Sequence, residues 1–151
     1  MRERRIYLET TKISAKRTAG QISELLGDCG ARAVMIEYDE AGKVAAIAFQ
    51  VVVGGQTVPY RLPIRVEPLL ALLRKKRRDV KLEQAENIAW RQVYRWLQAQ
   101  LAMIDTGMVE LPEVMLPYLH VGLNETLYQR LAGRGFQALT GEISAPIKEK
   151  K

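Results

Sequence analysis

Apolar and polar positions follow two different periods along this chain, and the change of period divides it. Val58, Tyr60, Leu62, Ile64 and Val66 alternate with Pro59, Arg61, Pro63 and Arg65, the two-residue repeat of a half-buried strand. Two prolines on one face remove ladder donors, so this strand is expected at a sheet edge. Before it, ARAVMIEYD (Ala31–Asp39) and VAAIAFQVVV (Val44–Val53) read as strands joined by the turn EAGK, with Gly54-Gly55 turning the chain again. RIYLETTKI (Arg5–Ile13) alternates moderately and has strand-like β-branched content, so a first strand is expected there. Between the two, Ser14 stands as the N-cap of a helix reaching about Asp28. Its apolar stripe is Ile22, Leu25, Leu26 and Cys29, and Gly30 supplies the C-terminal stop.

From residue 68 the period is helical. Pro68 opens a helix to about Arg78. A long helix follows from about Leu82 to Thr106, closed by Gly107, with Trp90, Val93, Tyr94, Leu97, Leu101 and Ile104 on one stripe. Ala89, Trp96 and Met103 widen that stripe, while Arg91, Arg95 and Gln98 fall on the polar side. Short helices are expected over Pro112–Tyr118 and Glu125–Ala132, and the tail 141–151 is expected to be a flexible basic segment. The pattern therefore predicts one α+β domain over residues 1–140. Its curved antiparallel sheet, in the order β-α-β-β-β, is packed by C-terminal helices that include one long amphipathic helix.

Composition adds bounds. At 151 residues and 48% apolar, the chain suits one domain with a real core. MRERRIYLETTK lacks the apolar stretch of a secretory signal, no run is long enough to span a bilayer, and the single Cys29 excludes an internal disulfide. A soluble, cytoplasmic protein without a membrane partner is expected.

Charge changes the picture more. The formal net charge is +6, and residues 1–80 hold 15 Lys/Arg against 9 Asp/Glu, whereas residues 81–151 hold 8 of each. A localised positive field attracts nucleic acid, acidic membrane surfaces or acidic proteins. The run Arg74, Lys75, Lys76, Arg77, Arg78 lies at a helix C-terminus, where the macrodipole favours one or two cations. Five in a row repel one another unless solvent or a polyanion screens them. They are either the solvated end of a helix or a phosphate contact. Lys16 and Arg17 occupy a first helical turn, where the dipole disfavours cations, and Lys12 extends that group. Arg61 and Arg65, about 7 Å apart on the polar strand face, could track phosphates together with Arg32, or could simply keep an edge strand soluble. Candidate nucleic-acid contacts are thus Lys12, Lys16, Arg17, Arg32, Arg61, Arg65 and the cluster at 74–78.

Candidate chemistry is sparse. His120 is the one histidine, in LPYLHVG, and reads as a satisfied structural residue; Cys29 reads as a small buried hydrophobe. Glu37, Asp39 and Glu40 could bind Mg²⁺ for phosphodiester hydrolysis, but they fall where a turn is expected. No phosphate-loop, dinucleotide or zinc motif occurs. We therefore expect no catalytic residues, no metal site and no cofactor. Trp90 and Tyr94 fall on the core stripe and Trp96 on its flank, while Tyr7, Phe49 and Tyr60 suit core or sheet positions. Aromatic side chains are thus not interleaved with the cations, and binding to the phosphate backbone, independent of base sequence, is the form expected.

The phrases LETTKIS and AENIAWRQVYRWLQAQLAMIDTGMVELPEVMLPYL resemble uncharacterised small proteins encoded in bacteriophage and prophage-like genomes, over about Ile6 to Leu139. The resemblance implies a viral or prophage setting, in a host cytoplasm, where basic proteins of this size serve replication or recombination. It carries over no site residues. The β-α-β-β-β-α order is similar to the cores of single-strand annealing and single-strand binding proteins. The expected function is sequence-independent nucleic-acid binding, favouring single-stranded DNA, with a homo-oligomer open. The alternative is an assembly module that oligomerises through its helical face.

Overall fold

The computed structural model describes residues 4–136 and 139–140. Its mixed helix and strand architecture begins with α1 (Ala15–Asp28), followed by β1 (Ala33–Tyr38), β2 (Val44–Val53) and β3 (Gln56–Pro63). The rest is helical except for one small hairpin: α2 (Glu67–Lys76), α3 (Leu82–Asp105), α4 (Leu111–Met115), a 3₁₀ turn (Leu116–Tyr118), β4 (His120–Gly122), β5 (Glu125–Thr126) and α5 (Leu127–Arg134).

The three long strands form an antiparallel sheet in the order β1-β2-β3. Each turn has a local cause. Asp39 Oδ1 accepts from the amides of Ala41 and Lys43, both at 2.9 Å, and this closes the β1–β2 turn. Gly54 and Gly55 take φ of 56° and 79°, a glycine-permitted pair whose twist matches the flanking strands. As its prolines require, β3 lies at an edge of this sheet, and its Tyr60 forms an isolated bridge to Leu119.

Alternation separates the two faces of the sheet. Val34 and Ile36, Ile47, Phe49 and Val51, and Tyr60 and Leu62 face α1 and α3 and form the main core with Ile22, Leu26, Trp90, Leu97, Leu101 and Met115. The α3 stripe is therefore buried within the chain's own core. α1 and α3 run side by side in the same direction: Ala15 is hydrogen-bonded to Asn87, Gln21 to Arg91, and Cys29 senses the charge of Asp105. A smaller cluster of Leu73, Val80, Ala85 and Ile88, joined by Ile6, fastens α2 to the start of α3.

Several expectations are corrected. Residues 5–13 form no strand, so the sheet begins after α1. The segment turns twice, through Glu9 N–H to Ile6 carbonyl and Thr11 N–H to Leu8 carbonyl, with Leu8 at φ 63°. Side chains of α3 hold it: Gln92 donates to the Tyr7 carbonyl at 2.8 Å, and Gln84 to the carbonyls of Glu9 and Thr11 at 3.1 Å. These amide donors satisfy carbonyls that a strand neighbour would otherwise serve. Tyr7 is exposed rather than part of a core or sheet. Cys29 is the exposed C-cap of α1, since the helix ends one residue before the stripe would bury it. Arg91 is buried at 7% exposure, because Gln21 accepts its Nη1 at 2.6 Å and the Tyr94 ring stacks under the guanidinium at 4.5 Å. The tail 141–151 lies outside the described residues.

Candidate nucleic-acid interface

Two basic groups that are distant in sequence are each attached to the first turns of α3. The first is built on α1. Ser14 Oγ caps the helix by accepting from Arg17 N–H at 3.1 Å, and Ala15 N–H donates to Asn87 Oδ1 at 2.8 Å, which fixes the helix start against α3. Lys16 and Arg17 project into solvent from this turn, and exposed Lys12 lies just beyond the carbonyl held by Gln84.

The second group is the α2–α3 connection, which delivers residues 77–81 directly to the α3 N-terminus. Here the five cations divide. Arg74 Nε donates to the Val80 carbonyl at 3.3 Å and Lys76 Nζ to the Arg4 carbonyl at 3.0 Å, so these two help hold the connection and the N-terminal segment. The side chains of Lys75, Arg77 and Arg78 are exposed and make no hydrogen bond or ion pair with a described residue. Lys12, Lys16 and Arg17 add further exposed positive charge at the same end of the helix pair.

Acidic groups limit where an anion can sit. A cleft of about 440 Å³ beside the α1 N-terminus is lined by Lys16 and Lys43 but also by Glu83 and Glu86, and Lys43 pairs with Glu86 at 3.3 Å. The cleft is charge-balanced, and exposed Lys12, Arg17 and residues 75–78 are not among the residues that line it.

The other candidates are placed differently. Arg61 Nε pairs with Glu37 Oε2 at 2.8 Å, and the two side chains are only 15% and 20% exposed. The pair crosses β2 on the face away from the helices, and it can do so because Ala46 and Ala48, their neighbours on β2, are small. Arg61 is thus committed to the sheet. β3 ends at Pro63, so exposed Arg65 leaves the pleat and does not continue the Arg61 row. Arg32 stands at the start of β1, at the far end of the strand from the turn that Lys43 fastens to α3. Both the Lys12–Arg17 group and the 74–78 cluster thus adjoin the first turns of α3, through the Thr11–Gln84 and Ala15–Asn87 hydrogen bonds and the α2–α3 connection, whereas Arg32 and Arg61 belong to the sheet.

Arg65 instead borders an aromatic groove. It lines a cleft of about 360 Å³ with Pro63, Pro117, Tyr118, Thr126 and Tyr128. A second cleft of about 250 Å³, lined by Leu62, Gln92, Val93 and Trp96, shares Pro63 and Tyr118 with the first. Trp96 and Tyr118 meet edge to face at 5.7 Å, within one chain. Gln92 in this groove is the residue that holds Tyr7, so the N-terminal segment connects the groove to the Lys76 side of the cationic end. Tyr118, Tyr128 and the groove-lining role of Trp96 escaped sequence reasoning. They come from three elements, and no short-range pattern links them.

Two of the three acidic residues considered for metal are otherwise engaged: Glu37 holds Arg61, and Asp39 closes its turn. No group of three metal-ligating side chains is found among the described residues. His120 pairs with Thr126 in the small hairpin, and its enclosed Nε2 has no hydrogen-bond partner among the described residues. No described helix is long and apolar enough to cross a membrane. No protein-family model matches the chain, and no curated protein or solved structure is significantly similar to it.

Proposed function

We propose that the protein binds nucleic acid without sequence specificity, favouring single-stranded DNA, in the phage or prophage replication or recombination setting that its sequence phrases suggest. What supports this reading is that Lys12, Lys16 and Arg17, and separately Lys75, Arg77 and Arg78, lie exposed on segments that adjoin the first turns of α3. Phosphates laid along those segments would displace condensed counterions, the usual source of salt-sensitive, sequence-independent affinity. The groove of Trp96, Tyr118 and Tyr128 beside Arg65 supports the preference for single strands, because unpaired bases expose faces that stack on aromatic rings. Neither role requires a catalytic residue or a cofactor.

The test is fluorescence anisotropy of a labelled single strand and the matching duplex at low and moderate salt. Trp90→Phe protein, in which Trp96 is the remaining indole, is titrated alongside. Salt-sensitive binding that favours the single strand and quenches Trp96 supports the whole reading. Equal binding of duplex without quenching retains the cationic segments and removes the groove. No binding at low salt removes both. The alternative of self-association through the helical face loses its surface, because Trp90, Leu97 and Leu101 are buried in the chain's own core.

A further inference from the structure

The two edges of the three-stranded sheet are finished in opposite ways. β3 carries Pro59 and Pro63 and is bridged through Tyr60 to Leu119, two devices that prevent another strand from adding there. β1, with the sequence AVMIEY, has neither proline nor lysine. Apart from the groups that face β2, none of its backbone amides or carbonyls is hydrogen-bonded to another described residue. Its ladder is regular from Ala33 to Glu37, and the one register irregularity falls between Glu37 and Tyr38. Met35, in the middle of that regular stretch, is 56% exposed. Such an edge is a template for an added strand.

We propose that β1 pairs with β1 of a second copy of this chain, antiparallel about a two-fold axis at Met35, so that two three-stranded sheets become one sheet of six. The sequence of the strand selects this occupant. Residues directly opposite in an antiparallel pair share a face, so a two-fold axis must pass through one residue set against itself. With the axis at Met35, Val34 lies opposite the partner's Ile36, and these half-buried apolar residues continue the helix-covered core across the junction. Met35 meets its own copy on the open face. Arg32, just before the regular stretch, comes to the end of the partner strand that carries the Asp39 and Glu40 turn, so the charges at the strand ends are complementary under self-pairing. This inference stands apart from the nucleic-acid reading.

Sedimentation equilibrium of the full chain over a range of concentrations tests it, with Met35→Lys for comparison. An exposed side chain tolerates this change in the monomer, whereas self-pairing sets two like charges against each other. A dimer whose dissociation constant rises about tenfold or more in Met35→Lys is expected. A second readout is free of any folding effect of the lysine. In Cys29→Ser protein, Met35→Cys joins two chains through a disulfide under oxidised glutathione, whereas Leu123→Cys, at the 99% exposed tip of the β4–β5 hairpin, does not. A wild-type monomer at the highest soluble concentration overturns the proposal. So does a dimer that Met35→Lys leaves unchanged, or equal cross-linking at both cysteine positions.

Discussion

At the N-terminal end of the parallel α1–α3 pair stand Lys12, Lys16, Arg17 and the exposed cations of the α2–α3 connection. At its C-terminal end stand Asp28 and Asp105, with Cys29 between them. α1 has no acid in its first turn and no base in its last, so both of its ends carry charge that opposes its dipole. α3 conforms at its start, with Glu83 in the first turn, and has no base in its last. Helix stability would favour the reverse arrangement in α1. The two ends therefore differ in charge in a way that helix stability alone does not explain.

The largest test breaks the comparison by removing the packing that aligns the two helices. Trp90 of α3 is fully buried in the core it shares with α1, and Trp90→Ala should cost about 3–5 kcal/mol in denaturant unfolding, since it opens a cavity the neighbours only partly fill. A loss within the range of surface substitutions would mean that the ends are not held in register by this core.

Reversing charge at Arg77 and Arg78 should act on binding and leave the fold alone. We expect polyanion affinity to fall about tenfold or more at low salt, and the slope of log affinity against log salt to shallow by about two contacts. The melting temperature should stay within the scatter expected of surface changes. A matched reversal at Asp28 and Asp105 should leave the salt slope unchanged.

Arg17→Glu sharpens the contrast by giving two effects of opposite sign. A carboxylate in the first turn suits the dipole, and position 17 does not line the cleft of Glu83 and Glu86, so stability should rise by about 0.3–1 kcal/mol while polyanion affinity should fall. A variant that is both less stable and equally tight would contradict the account of this end.

The smallest effect belongs to the acidic end. Partial burial at the helix terminus, then Asp105 and Asp28, raise the Cys29 thiol above its ordinary pKa, although the residue is exposed. The folded state therefore keeps its proton longer than the unfolded chain. Its contribution to stability is full below the ordinary thiol pKa and is lost as pH rises through the raised value. Thiol labelling should be slower in folded than in unfolded protein across that window, and Asp105→Asn should speed it. Equal rates would show that the carboxylates do not act on the thiol.

Much of the fold was legible because its causes are local. The Ser14 cap, the glycine stop at Gly30, the prolines of the edge strand, the Asp39 turn and the α3 stripe each depend on residues a few positions apart. Arg5–Ile13 failed for the same reason. Its alternation is strand-like, but whether a segment joins a sheet depends on a neighbouring strand, and here Gln84 and Gln92, more than seventy residues away, hold its carbonyls instead. Arg91 failed similarly, since α3 turns that side toward Gln21 of α1.

The candidate site divides along the same line. Clustering within 12–17 and within 74–78 is written in the sequence, as is the conflict of Lys16 and Arg17 with their helix dipole. That these clusters share one end, that Arg61 is bound to Glu37, and that Trp96, Tyr118 and Tyr128 border Arg65 was decided by tertiary packing. Backbone dihedrals, caps and turn chemistry act over a few residues and can be read there. Which surfaces meet depends on how buried faces from the whole chain fit together, and no short window of sequence contains that.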